Sequence, residues 1–348
     1  MFLLQRKLIR TIVILILLSE IKISVIITAY NRTEFVLSAL NSVIHQTIDD
    51  SMYEIILVTN FKVNDLVIPS EKNFKIIKTD GSIGLFYKKA ISISAGKILC
   101  FLDDDDTYEP TKLEEVYDLF SRHNLDYLRD YPEFINSKGK KTIGLFQPLK
   151  KLPLRITACD FNDKNIKNVL KYKLFFNIST VSISKSVILP TLDRLDKLTA
   201  ATDQFFFFLY LYNGVNMLFS NNHLTNYRVH ESTSFSSKMN KSSSAKLCYD
   251  WTNAEITFSF IEDIFPLTQP NGLIHLKHLH IKGMSFLAGN DCNYLSLSEL
   301  VLLSKSYFST YGSYKFGFLL LMFLSFFSKK FSRFFYTASS MKISIFHF

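Results

Sequence analysis

Along the first third of the chain, apolar positions recur with two different periods that take turns. KISVIITAY (22–30) is a continuous β-rich apolar run, TEFVLSALNSVIHQ (33–46) spaces its apolar residues as a helix does, and YEIILVT (53–59) returns to strand. The cycle repeats with FKIIKT (74–79) as a third strand, IGLFYKKAISISAG (83–96) as a helix ended by Gly96, and KILCFL (97–102) as a fourth strand. Strands that are apolar throughout and alternate with helices predict a parallel sheet covered on both faces. In such α/β sheets the ligand crevice lies at the carboxyl ends of the strands. The residues found there are Tyr30 to Arg32, Thr59 and Asn60, and Asp103 to Asp106.

Further on the pattern breaks. Between Asp126 and Val187, short strands such as KTIGLF (141–146) and STVSISKSVI (179–188) surround one helix. QFFFFLYLY (204–212) is apolar at every position after Gln204, so periodicity does not decide its type, but Thr202 and Asp203 before it can cap a helix. Beyond Ser236 the spacing is helical, as in SAKLCYDWTNAEITFSFIEDIF and SLSELVLLSKSYF.

Composition narrows the class. Hydrophobic residues make up 48% and include 33 Phe and 17 Tyr, which excludes disorder and leans toward a globular protein that touches membrane. The four cysteines lie far apart without a CxxC pair, so neither a zinc knuckle nor a disulfide framework is indicated, and a reducing cytoplasm is the default. The net charge of +9 is dispersed and lacks any nucleic-acid-binding signature, so phosphates or lipid headgroups are expected as partners and nucleic acid is not.

Two short hydrophobic stretches raise the question of a membrane. TIVILILL (11–18) follows Arg6, Lys7 and Arg10 as in a signal peptide, yet no small-residue cleavage site follows and a strand begins at Ile23. It reads as an extra strand or an upstream extension. FGFLLLMFLSFF (316–327), bracketed by Lys315 and by Lys329, Lys330 and Arg333, is too short to span a bilayer. It suits a helix lying in the membrane interface, or equally a core helix whose cations are solvated at its ends.

The candidate chemistry centres on FLDDDDTYEP (101–110). A charge run is ordinarily a solvated surface feature. Here it follows a buried strand directly and precedes the helix PTKLEEVYDLF, opened by Pro110, so its carboxylates are held at the crevice and call for a cation such as Mg²⁺ or Mn²⁺.

ISVIITAYNR, YEIILVTN and AGKILCFLDDDD together resemble the successive signatures of family 2 glycosyltransferases, over about residues 22–235. The resemblance implies a GT-A fold, with a Rossmann-like, mostly parallel sheet flanked by helices, followed by a helical C-terminal region. It implies that Asp105 binds the metal bridging the donor's diphosphate, that Asp103 contacts ribose or the metal, and that Thr28, Tyr30, Arg32, Asn60, Lys88 and Asp104 border the nucleotide sugar. ATDQFFFFLYLYNG (201–214) is similar to the family's segment for the catalytic base, which maps to Asp203; the alternative for Asp203 is a helix cap. LTNYRVHESTSFS (224–236) is similar to its YRxH element and puts Arg228 and His230 near diphosphate or metal.

The chain departs from the family pattern at Thr59 and Asn60, where two Asp are usual, at Tyr87, where Arg is usual, and at Thr202, where Glu is frequent. These departures leave the donor open.

The expected layout is an N-terminal hydrophobic extension (1–21), a catalytic domain (22–236) with a nucleotide-sugar half (22–125) and an acceptor half (126–236), a helical region (237–312) and a tail (313–348). The implied function is metal-assisted, inverting transfer from a UDP- or GDP-sugar to a cell-envelope or lipid-linked glycan, at the cytoplasmic membrane face. A non-catalytic binder of sugar nucleotides or glycans is the alternative. A nucleotidyltransferase is disfavoured because no Gly-rich, Lys-bearing loop follows the first strand.

Overall fold

The computed structural model describes residues 21–62, 73–142, 154–156, 175–230, 244–265, 271–306 and 316–340. Strand β1 (Ile23–Ala29) is buried along its whole length and runs parallel to β2 (Tyr53–Thr59) on one side and β4 (Ile98–Asp103) on the other. β3 (Phe74–Lys78) pairs with β2 at the sheet edge, where its two lysines reach water.

The two-residue period of these strands sends alternate side chains to opposite faces. Val25, Ile27, Ile55, Leu57, Cys100 and Leu102 face helices α1 (Val36–Ile44) and α3 (Lys112–His123). Ile26, Ile56, Val58, Leu99 and Phe101 face α2 (Ile83–Ile93) and α4 (Thr202–Tyr212).

Short strands complete the sheet: β6 (Tyr127–Arg129), β8 (Leu154–Ile156), β9 (Val181–Ser184) and β10 (Met217–Phe219), in the order β3-β2-β1-β4-β9-β6-β10-β8. The sheet is mixed, because β9 runs antiparallel to both β4 and β6. A second, three-stranded sheet joins β5 (Thr107–Tyr108), β11 (Thr225–Val229) and β7 (Pro132–Asn136). Since β5 follows the acidic loop at once, this small sheet backs the carboxyl end of β4.

Several expectations shift. STVSISKSVI is a strand only over Val181–Ser184, flanked by helical turns at Ile178–Thr180 and Lys185–Ile188. Pairing stops where Ser184 meets Ile98, the first residue of β4. Helix α2 ends at Ile93, before Gly96. Gly96 is instead a point of close approach, because a Cβ there would lie 2.4 Å from the Ser24 amide nitrogen. The N-terminal extension up to residue 20, KTIGLF beyond Thr142, Lys315 and the end of the last signature (231–236) lie outside the described residues.

QFFFFLYLY is helical, and the C-terminal region explains why it can be apolar all round. Helices α5 (Ser244–Ile264) and α6 (Asn271–Ala288) cover the side of α4 that the sheet leaves open, so Phe258, Phe260, Ile261, Ile274 and Ile281 share one core with Phe205 to Leu211. The other side of α6 builds a separate core with α7 (Leu297–Ser306), α8 (Phe316–Ser325) and α9 (Lys329–Ser340), centred on Leu279, Met284, Phe318, Met322 and Tyr336. Among the described residues, no helix is long and apolar enough to cross a membrane.

Candidate active site

Four adjacent carboxylates follow β4, and the fold supplies each with donors from other segments. Asp104, Asp105 and Asp106 are buried and Asp103 is half-buried. Arg32, just past β1, donates Nε to Asp104 at 3.2 Å and Nη2 to both Asp104 and Asp105, the latter at 2.8 Å. His230, just past β11, sets Nε2 2.9 Å from the same Asp105 oxygen. The Asp106 carboxylate accepts from the Arg228 amide at 2.9 Å, the Asn177 side chain at 2.9 Å and the Ser179 hydroxyl at 2.6 Å. Ser179 also accepts the Asp103 amide at 3.0 Å, and Thr28 of β1 lies 3.4 Å from an Asp103 oxygen.

Beneath the loop sits a fully buried ion pair. Lys112 donates to Asp130 at 2.7 Å and also to the Ser179 carbonyl and the Thr225 hydroxyl, which ties α3 to the end of β6 and to β11.

Asp103, Asp104 and Asp106 hold their protons more tightly than free carboxyl groups. Burial, then Asp105 and Asp106, raises Asp103 well above the ordinary carboxylate range, and burial with Asp105 pushes Asp106 up to about 7. Asp104 is raised by burial despite its bonds to Arg32. Both oxygens of Asp106 are engaged, which leaves Asp103 and Asp105 to face the crevice. Oxygens of Asp103, Asp105 and Asp106 all lie within 4.8 Å of one another. An all-oxygen set of this density suits a hard divalent cation such as Mg²⁺ or Mn²⁺, so the residues fit the expected metal.

Asp203 is the second residue of α4. Its two oxygens accept the Asn177 amide at 3.1 Å and the Gln204 amide at 2.8 Å, and burial raises its pKa. Ala201, not Asp203, holds the N-cap position, in the left-handed conformation. Asn177 therefore touches both Asp203 and Asp106 and joins the base candidate to the acidic loop. Asn31, Asn177 and Ala201 all have positive φ, at 55°, 68° and 50°, so three strained positions border the site.

The remaining expected residues separate into two groups. Tyr30 is exposed at the lip of the crevice, with its ring against Phe86. Asn60 and Asn31 hydrogen-bond reciprocally, at 2.9 and 2.6 Å, and so join the ends of β1 and β2. The structure does not bring Lys88 to the acidic loop, since its ammonium donates to the Asp193 carbonyl at 2.8 Å. Nor does Arg228 present its guanidinium to the crevice: it braces the Asp105 carbonyl at 2.7 Å and the carbonyls of Asn136 and Ser137, and it stacks on Phe35. Tyr87, where the family usually has Arg, is buried, with Thr28 and Thr202 beside its hydroxyl.

Residues 24–192 match the family described as Glycosyl transferase family 2. This stretch belongs to glycosyltransferase family 2. Its relatives include an uncharacterized glycosyltransferase of Rickettsia bellii, 29% identical over 36% of this chain, and one of Rickettsia felis, 32% identical over 35%. The matched stretch spans only 19% and 21% of those relatives' own lengths. The crystal structure of S. aureus TarS 1-349 superposes with a TM-score of 0.53 at 15% identity, covering 92% of this chain and 91% of that one. The likeness is one of fold, and it takes in the helical C-terminal region as well as the GT-A-like sheet domain.

Sequence reasoning missed Asn177, Ser179, Lys112 and Lys277. Lys277, on α6, is buried 4.1 Å above the Phe175 ring, and its charge lowers the Asp203 pKa against the larger effect of burial. A signal for it exists: Lys277 stands between Ile274 and Ile281 at helical spacing, where a core residue is expected.

Proposed function

We propose that the chain transfers a sugar from a nucleoside diphosphate sugar to a hydroxyl of a cell-envelope or lipid-linked glycan, inverting the anomeric carbon, with Mg²⁺ or Mn²⁺ as cofactor. The observation that carries this reading is the convergence of Asp103, Asp105 and Asp106 at the end of β4 in a family 2 domain, joined through Asn177 to Asp203. The nucleotide-sugar class draws support from TarS, whose crystal structures include complexes with UDP and UDP-GlcNAc.

Asp103 and Asp105 would hold the cation, which when bound supplies Lewis acidity toward the leaving diphosphate. Asp203 accepts the proton of the acceptor hydroxyl as its oxygen bonds to the anomeric carbon and the bond to the diphosphate breaks. Two backbone amides fix the Asp203 carboxylate, and burial makes it a better base than a solvated aspartate. Arg32 and His230 approach the diphosphate side of the site, and Tyr30 with the Asn31–Asn60 pair borders the nucleoside. The reaction belongs on the cytoplasmic face of the membrane, where nucleotide sugars of this class are found.

The test is thermal unfolding with UDP- and GDP-sugars, with and without Mn²⁺, combined with an assay of nucleotide release. A donor that raises the midpoint only with metal, and is then turned over, supports the proposal. Turnover undiminished by exhaustive chelation sinks the metal role, and donor binding without any release makes the chain a binding protein.

A further inference from the structure

Helix α9 sorts its side chains against water. Ser332 is 0% exposed and Tyr336 1%, whereas Phe331, Phe334 and Phe335 are 49%, 67% and 45% exposed. The same holds at the tip that joins it to α8, where Phe327 is 77% exposed and Phe323 and Phe326 are also solvent-facing. The rings touch along the hairpin, with centroid distances of 5.6 Å for Phe323–Phe327 and 4.6 Å for Phe331–Phe335, so they form an aromatic ridge rather than scattered exposures. The stretch 316–327, expected either to lie flat in the membrane interface or to pack in the core, is half core, because Phe318 and Met322 are fully buried. The apolar surface belongs to the α8–α9 hairpin.

Charge indicates what covers the ridge. From Leu300 to Phe348 the sequence has no Asp or Glu, while Lys305, Lys315, Lys329, Lys330, Arg333 and Lys342 are all cationic. Lys330 is exposed beside Phe331 and Phe334, and Lys329 and Arg333 stand at the rim against Asp291, at 3.5 and 3.1 Å. A two-fold contact between copies of this face would bring like charges together. An anionic lipid surface offers an apolar interior to the rings and phosphates to the cations. The ten residues of α8 reach only about 15 Å, half a hydrocarbon core, a length that suits entry into one leaflet and not a crossing.

We propose that the α8–α9 hairpin is a membrane-docking element that seats its phenylalanine ridge among the acyl chains of an anionic bilayer, with Lys330 and the rim cations on the headgroup phosphates. The proposal stands on this face alone and does not depend on the sugar-transfer reading.

The experiment is flotation of the full chain with phosphatidylcholine vesicles, with and without phosphatidylglycerol, alongside light scattering. Wild type is expected to float with the anionic vesicles and less with the neutral ones. Phe327→Gln combined with Phe334→Gln should lower the partition coefficient roughly a hundredfold, with an unchanged unfolding midpoint because both rings already face solvent. Lys330→Glu should lower it by about tenfold at low salt and less at high salt. Wild type that fails to float with either vesicle, or a double variant that floats as well as wild type, overturns the proposal. So does a dimer that the double variant dissolves without any flotation, since the ridge is then a protein contact.

Discussion

The acidic loop after β4 and the α8–α9 hairpin break the same sorting rule in opposite directions. The loop takes charge out of water: Asp104, Asp105 and Asp106 are 3%, 8% and 1% exposed. The hairpin leaves six phenylalanines in water and buries two serines, Ser325 and Ser332. In the loop the compensation lies inside the molecule, since Arg32, His230, Asn177, Ser179 and the Arg228 amide answer the carboxylates. In the hairpin the charges around the ridge point to compensation from a second phase. A buried polar cluster and an exposed apolar ridge are each costly, so each points to a ligand, of a different kind.

The two regions should therefore fail independently, and substitutions in the loop test that most sharply. Asp105→Asn is expected to take metal-dependent nucleotide release to background while vesicle flotation is untouched. Its unfolding midpoint should hold or rise, because one charge leaves a crowd of four. Asp203→Asn should cut turnover by roughly two to four orders of magnitude with donor affinity nearly unchanged, read from titration against release rate. Near-normal turnover would make Asp203 a helix-end residue only. Loss of flotation in either variant would mean that the two regions are coupled, and the comparison would not stand.

A smaller effect is expected where the loop rests on its ion pair. Lys112 and Asp130 are both 0% exposed, so Lys112→Met leaves a buried carboxylate without its cation and should cost about 3–5 kcal/mol in urea unfolding. Adding Asp130→Leu should restore much of that loss, because the uncompensated charge goes as well. If the single variant costs no more than a surface substitution, the pair does not brace the loop.

What could be read in the sequence depended on how local the cause was. The βαβ alternation and the acidic loop are set by short-range patterns, so KISVIITAY, YEIILVT and FLDDDD predicted their elements and their place at the crevice. The partners of those carboxylates come from far along the chain. Asn177 and Ser179 lie more than 70 residues from Asp106 and carry no motif. Arg228 was legible as a member of the site, but its role was not: only the packing shows that its guanidinium is spent on carbonyls rather than turned to the crevice. The partner of Lys88 was hidden for the same reason, because Asp193 is brought up by tertiary packing. The tail was half legible, since apolar length predicted a helix but could not tell that one side of it shares a core with Met284 while Leu320 and Phe323 on the other face solvent.

The smallest predicted effect lies between the two regions, on the helix pair that joins them. Helix α6 lends Ile274 and Ile281 to the sheet's core and Leu279 and Met284 to the hairpin's, and it faces α5 through a cluster in which His278 bonds Glu255 and both His275 and His278 bond Glu262. Burial opposes charge on His278, yet its bonds to Glu255 and Glu262 raise its pKa above the ordinary histidine value; burial likewise opposes charge on Glu262, yet its bonds from His278 and His275 lower its pKa. The raised histidine contributes stability that is fully present below the unfolded pKa of about 6.5 and is lost as pH rises through the folded value. The depressed glutamate contributes stability present above its unfolded value of about 4.3 and lost as pH falls through the folded one. The pair should thus be firmest between about pH 5 and 6.5, by no more than about 1 kcal/mol because both side chains are partly solvated. His278→Gln should flatten the fall in unfolding midpoint from about pH 6 to 8 while nucleotide release and flotation per folded molecule stay as in wild type. A fall that survives the substitution would assign the titration to another group, and a change in flotation would show that the hairpin's presentation depends on the joint beneath it.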